Sequence, residues 1–307
     1  MTRWIAAALV ALAALAAPAQ AAPAGAAEPI KAVATFSILA DLVRQVGGER
    51  VELTTLVGPD GDAHVFSPSP ADGRRIADAK VVFANGLGLE GWLGRLVKAS
   101  GGKARLVEVA RGVTPLPDAG GHAGHGSGLS HAGGDPHAWQ DVRNVKLYVA
   151  AIRDALADAS PGDRATFATN AAAYLAKLDA LDAEIRERIG RIPADRRRII
   201  TSHDAFRYFK AAYGLDFVAP QGVSTEAEAS ANDVARIIRQ IRREKITAVF
   251  LENVTNARLL ERIASETGAK IGGRVYSDAL SGPDGPAATY LDMMRHNLAA
   301  FTAALVS

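Results

Sequence analysis

Four side chains in this sequence have the chemistry to hold a metal ion together: His64, His137, His203 and Asp278. Three of them stand where a β-branched, apolar run gives way to a loop or helix: His64 after residues 51–57, His203 after Ile200-Thr201-Ser202, Asp278 after Tyr276-Ser277. His137 closes a long loop. Such positions meet along the carboxyl edge of a parallel sheet, so residues distant in sequence can converge in a cleft. Three imidazoles and one carboxylate make a tetrahedral set that zinc takes at about 2.0 to 2.2 Å per ligand, whereas magnesium and calcium prefer oxygen shells. Taken singly, each residue also has a plainer reading. His64 can bond Asp62 in a turn, His203 lies beside the capping types Ser202 and Asp204, and Asp278 suits a turn.

The stretch from His122 to Asp141, HAGHGSGLSHAGGDPHAWQD, strengthens the metal reading because it holds four of the seven histidines. Its first part is a Gly/Ser/Ala tract carrying His122, His125 and His131. Such a tract cannot bury a core and reads as a solvated loop whose histidines are free to gather a borderline cation. Its last part, Asp135-Pro136-His137-Ala138-Trp139, sets one histidine between a carboxylate, a proline and a large ring, which preorganises it to keep a cation. His296, in a helical run beside Met293, Met294 and Arg295, reads as structural.

The elements that must position these residues alternate in type. Strands are predicted at 30–36, 51–57, 81–84 and 106–109, with a helix at 37–46 and a short helix, capped by Ser69, running to Asp78. Residues 142–159 and 161–189 are nearly all helix formers. Ala171, Tyr174, Leu175, Leu178 and Leu181 recur at helical spacing, and a helix of roughly 28 residues would reach about 42 Å. The alternation then resumes: strand 198–201, helix from Asp204, strand 217–219, helix 230–243, strand 247–251, helix 257–267, strand 271–276, and a final helix over 286–305. The fold expected is α/β: two lobes with parallel sheets flanked by helices, bridged by one long rigid α-helix. In residues, this is a signal peptide at 1–21, an N-terminal lobe at 28–145 with a His-rich loop at 118–134, a helical linker at 146–194 and a C-terminal lobe at 195–307.

Composition narrows the function. A net charge of +2 and the absence of a basic face interleaved with aromatics give no reason to expect a nucleic-acid partner. The start, Met-Thr-Arg followed by an apolar run and Ala19-Gln20-Ala21, reads as a secretory signal cleaved after Ala21. The chain has no cysteine, which rules out thiolate ligands and disulfides. The expectation is a periplasmic protein, secreted by the signal peptide and not a lipoprotein.

At five stretches the chain resembles the solute-binding proteins of zinc- and manganese-type ABC importers, the group with a rigid helical linker. They are Asp62-Ala63-His64-Val65-Phe66-Ser67-Pro68-Ser69-Pro70, Asp135-Pro136-His137-Ala138-Trp139, residues 201–209 (TSHDAFRYF), residues 222–228 (GVSTEAE) and Phe250-Leu251-Glu252-Asn253. The resemblance runs from about Ile30 to the C-terminus. It implies that His64, His137, His203 and Asp278 are the metal ligands of a carrier that captures Zn²⁺ without catalysis and delivers it to a membrane permease. It also implies that His122, His125 and His131 serve auxiliary metal recruitment; a periplasmic metallochaperone is a candidate further partner on which the sequence itself is silent, and a monomer is expected. Relatives that carry manganese or iron look like having a carboxylate at the place of His203, so imidazole there favours zinc. Two departures stand out: Ala63 and Ala229 replace frequent prolines, which implies a looser loop around His64 and a looser helix start. Rival readings are a manganese or iron carrier of the same fold, a zinc hydrolase, which lacks an HExxH, and a binder of an organic ligand. Glu226, Glu228 and Glu252 have no role assigned by sequence, and affinity is expected to fall as pH drops through about 6.5.

Overall fold

A computed structural model describes residues 28–117 and 134–306. The signal-peptide reading and the loop histidines His122, His125 and His131 lie outside these residues. The first lobe opens with β1 (Ile30–Phe36), whose run of apolar and small residues is buried along nearly its whole length. It is followed by α1 (Ser37–Gly47), β2 (Val51–Val57), α2 (Pro70–Asp78), β3 (Val81–Ala84), α3 (Leu93–Ser100) and β4 (Arg105–Glu108). The strands are all parallel in the order β2-β1-β3-β4. A central strand of such a sheet is covered on both faces, which is why β1 is continuously apolar rather than alternating. Helix α2 starts where Ser69 and Asp72 cap one another, the Ser69 N–H donating to Asp72 Oδ2 at 2.8 Å.

Two helices then lead out of this lobe. α4 (Val142–Ala159) is capped by Asp141, whose carboxylate accepts the Arg143 N–H at 2.9 Å. α5 (Arg164–Gly190) buries Phe167, Ala171, Tyr174, Leu178, Leu181, Ile185 and Ile189, a stripe with three- and four-residue spacing. Its 27 residues span about 40 Å. α5 packs on α1 and α4 of the first lobe and on helices of the second.

The second lobe repeats the pattern: β5 (Arg198–Ile200), α6 (Arg207–Tyr213), β6 (Asp216–Val218), α7 (Ala231–Glu244), β7 (Ala248–Glu252), α8 (Ala257–Thr267), β8 (Lys270–Val275) and α9 (Tyr290–Val306). Its sheet, β6-β5-β7-β8, is again parallel. One face carries its own cluster of Ile200, Ile237, Ile241, Val249, Leu260 and Ile263. The other face, through Phe209, Phe217, Phe250 and Phe301, joins the core that runs through α4 and α5 into the first lobe. The lobes are therefore bridged by α5 and packed together through one apolar core.

In both sheets the strand order reverses beside the first strand of the lobe, between β1 and β3 and between β5 and β7. The crevices at the carboxyl ends of the strands face one another across the lobe junction. That junction is where a ligand of a parallel α/β sheet is expected to sit.

Candidate metal centre

His64, His137, His203 and Asp278 converge in this junction, with one donor atom from each lying within 4.8 Å of all the others. His64 stands on the loop between β2 and α2. His137 comes just before a 3₁₀ turn at Ala138–Gln140, His203 follows β5, and Asp278 follows β8. Three of the four are completely buried and His64 is 4% exposed, so the cluster is shielded from water.

All three imidazoles turn Nε2 inward. His64 Nε2 lies 3.3 Å from His137 Nε2, and Asp278 takes up the remaining side at 3.5 Å from His64, 3.5 Å from His137 and 3.0 Å from His203. A tetrahedral zinc shell with bonds of about 2.0 to 2.1 Å has edges of about 3.3 Å, so these separations suit one small cation at the centre. Neither oxygen of Asp278 has a hydrogen-bond donor of its own among the described residues. A buried carboxylate without donors is costly unless a cation or protons face it.

The outward nitrogens of two rings meet carboxylates. His137 Nδ1 is 2.8 Å from Asp135 Oδ1, which also accepts the His137 backbone N–H at 3.0 Å. His203 Nδ1 is 2.6 Å from Glu252 Oε2, while Glu252 Oε1 accepts the backbone N–H groups of Ser202 and His203 at 2.6 and 2.9 Å. Carboxylates behind metal-facing imidazoles fix ring orientation and tautomer and raise donor strength. Burial alone would lower the affinity of His137 and His203 for protons. The negative charges of Asp278 and Asp135 outweigh it at His137, lifting that ring to about 9, and those of Glu252 and Asp278 lift His203 as well. At His64 burial wins over Asp278 and the ring is pushed down. Burial would raise Asp278, but His203 and His137 hold it well below the usual carboxylate range.

The loops that carry the four residues are tied across the junction. The Trp139 indole N–H and the Gln140 amide both donate to the Ser277 carbonyl, at 2.8 and 2.9 Å, which fixes the turn leading to Asp278. Thr225 donates to Asp62 Oδ2 at 2.6 Å, and the other oxygen of Asp62 accepts the His64 N–H at 2.8 Å. Ala63 does not leave its loop loose: it is fully buried and its carbonyl accepts the Trp92 indole N–H at 2.9 Å.

Sequence left Glu252 without a role, and structure sets it directly behind His203. Its sequence signals are its place at the end of an apolar run, Ala248–Glu252, and its membership of the Phe250-Leu251-Glu252-Asn253 stretch. Glu226 and Glu228 are exposed. His296 is apart from the site, with Nε2 2.9 Å from the Arg274 carbonyl.

Residues 32–304 match the family described as "Zinc-uptake complex component A periplasmic". The manganese-binding lipoprotein MntA of Halalkalibacterium halodurans is 36% identical over 279 residues, covering 91% of this chain and 89% of that protein. The iron-binding protein YfeA of Yersinia pestis is 34% identical over 268 residues, covering 87% of this chain and 84% of that protein. Among solved structures, the periplasmic zinc-binding protein TroA of Treponema pallidum superposes with a TM-score of 0.82 at 32% identity, over 91% of this chain and 99% of that one. These relatives correct one expectation. MntA and several streptococcal relatives are named as lipoproteins, so the reading of an unlipidated secreted protein does not stand. That reading rested on the lack of cysteine, which describes the composition of these 307 residues and does not decide how such a protein is held. Among the described residues, no helix is long and apolar enough to cross a membrane.

Proposed function

The chain belongs to the family of solute-binding proteins that serve metal-importing ABC transporters, and on that premise we propose that its cargo is Zn²⁺. In this reading His64, His137 and His203 bind the ion through Nε2, Asp278 completes the shell, and the loaded protein delivers the ion to the membrane permease. The observation that carries it is the donor set: three buried imidazole nitrogens and one carboxylate oxygen within 4.8 Å. Relatives are named for manganese, iron and zinc, so the names alone do not choose among them. Chemistry does: imidazole-rich shells suit zinc, whereas manganese suits a larger share of oxygen donors.

A carrier also fits better than a hydrolase. Catalytic zinc keeps three protein ligands and an open position for water, while a fourth protein ligand closes the shell. The three carboxylates that touch the imidazoles, Asp278, Asp135 and Glu252, make the cavity acidic, which suits a dication.

The test is competition titration of metal-free protein with zinc and manganese, alongside elemental analysis of protein as isolated, for wild type and His203→Glu. Tight one-to-one zinc binding with weak manganese binding is expected. The variant, with two imidazoles and two carboxylates, should shift toward manganese. Equal affinity of the wild type for both metals would overturn the zinc assignment, and no tight metal would overturn the carrier.

A further inference from the structure

The geometry points to Glu252 as the positioning residue that turns His203 into a metal-facing donor, setting zinc affinity without touching the ion. This rests on the metal-carrier reading above. Glu252 closes β7, the neighbour of β5, and its carboxylate does two things at once. Oε1 accepts the N–H groups of Ser202 and His203, at 2.6 and 2.9 Å, and so fixes the backbone that carries the ring. Oε2 lies 2.6 Å from Nδ1 of the same ring. Both ring nitrogens of the metal-free His203 thus face acceptors, Glu252 at Nδ1 and Asp278 at Nε2, 3.0 Å away, and when a cation takes the place of the hydrogen on Nε2, Glu252 is the group that holds the remaining one on Nδ1. Glu252 is 3% exposed, which keeps water from substituting for it.

Here the residue type matters as well as its shape. In Glu252→Gln the amide oxygen can still accept the two backbone N–H groups, but the NH₂ would face Nδ1. An NH₂ donates, so His203 would have to accept at Nδ1 and carry its hydrogen on Nε2, the nitrogen that must be bare to bind a cation. The fold keeps its hydrogen bonds while the ligand is presented in the wrong tautomer.

The experiment measures zinc affinity of the full protein by competition with a chelator of known strength, in wild type, E252Q, H203A and the double variant. Nitrogen-15 NMR of the metal-free proteins, at a pH where the ring is neutral, reads the His203 tautomer. The expected result is a 10- to 100-fold weaker affinity in E252Q, a size typical of losing such an outer carboxylate. The His203 signal should switch from the Nδ1–H to the Nε2–H form, and E252Q should change affinity less than about threefold in the H203A background. Wild-type affinity in E252Q, an unchanged tautomer, or an equal loss in the H203A background would each overturn the assignment. Wild-type protein is titrated beside the variants: if it fails to bind zinc tightly, the carrier reading falls and this inference with it, whereas tight wild-type binding with an indifferent E252Q removes only the role of Glu252.

Discussion

Two imidazole nitrogens 3.3 Å apart, as in His64 and His137, cannot both present lone pairs to each other: a hydrogen on one ring or a cation must lie between them. In the metal-free protein a hydrogen on one of the rings fills that place. His137, lifted to about 9 by Asp278 and Asp135 against the opposing effect of burial, carries it at neutral pH, and His203 is raised in the same sense. The sign follows from linkage. A ring raised above its unfolded value of about 6.5 stabilises the metal-free fold fully below that pH, and the contribution is lost as pH rises through about 9. Zinc must displace the proton, so its affinity should keep rising with pH from about 6.5 to 9, by up to tenfold per unit for each proton displaced. Sequence placed the change lower, near 6.5, because the ordinary imidazole value carries no knowledge of Asp278 lying across the cleft. Calorimetric titration at pH 7 in buffers of different ionisation enthalpy counts the protons. Release of about one or more per zinc is expected, and release of none would refute the competition.

Elements divide into those held by local pattern and those held by distant partners. The buried stripe of α5 is local in origin, and the spacing of Ala171, Tyr174, Leu178 and Leu181 makes that helix legible in the sequence alone. Its function as a strut can be separated from binding. Leu178→Ala removes a fully buried side chain of the main core, so the metal-free protein should lose about 2 to 5 kcal/mol. Zinc affinity should stay within about threefold, because every proposed ligand lies on a loop or turn outside this helix. Urea unfolding and zinc titration of the same variant check both halves, and a parallel loss of affinity would make α5 part of the site. Other boundaries were not legible. A helix from Asp204 begins only at Arg207, because the Ser202 and His203 N–H groups go to Glu252 and the Asp204 N–H to the Gly222 carbonyl. The last helix starts at Tyr290, not Pro286: Thr289 and Asp292 cap each other, and Asp41 of α1 accepts the Tyr290 N–H at 2.9 Å. The first of those signals was in the sequence; the second needed a partner 249 residues away. Helix α3 went unread because glycines surround and interrupt its apolar pair Leu93 and Leu96.

At the scale of the molecule, the question is how far the lobes move when the ion arrives. Hinged binding proteins close by rotation about a few flexible residues, and that requires an interface able to part. Here the junction is fastened on several sides. Trp139 and Gln140 hold Ser277, Tyr290 donates to the Trp139 carbonyl at 2.8 Å, and the Asp60 N–H donates to the Leu280 carbonyl at 2.9 Å. The core passes from one lobe to the other without a break, and α5 and α9 pack side by side along it. Opening would expose that apolar surface at about 25 cal/mol per Å², so a rotation uncovering a few hundred Å² costs on the order of 10 kcal/mol. Binding at a thousandfold excess over Kd stabilises the loaded state by only about 4 kcal/mol. The metal-free protein is therefore held closed already, and zinc has little closure left to drive, although it should raise the unfolding midpoint clearly. Solution scattering should give a radius of gyration near 19 Å, the value for a compact chain of this size, changing by less than about 0.5 Å on loading. A larger contraction would mean that the lobes of the metal-free protein stand apart, and that the fused core forms only around the ion.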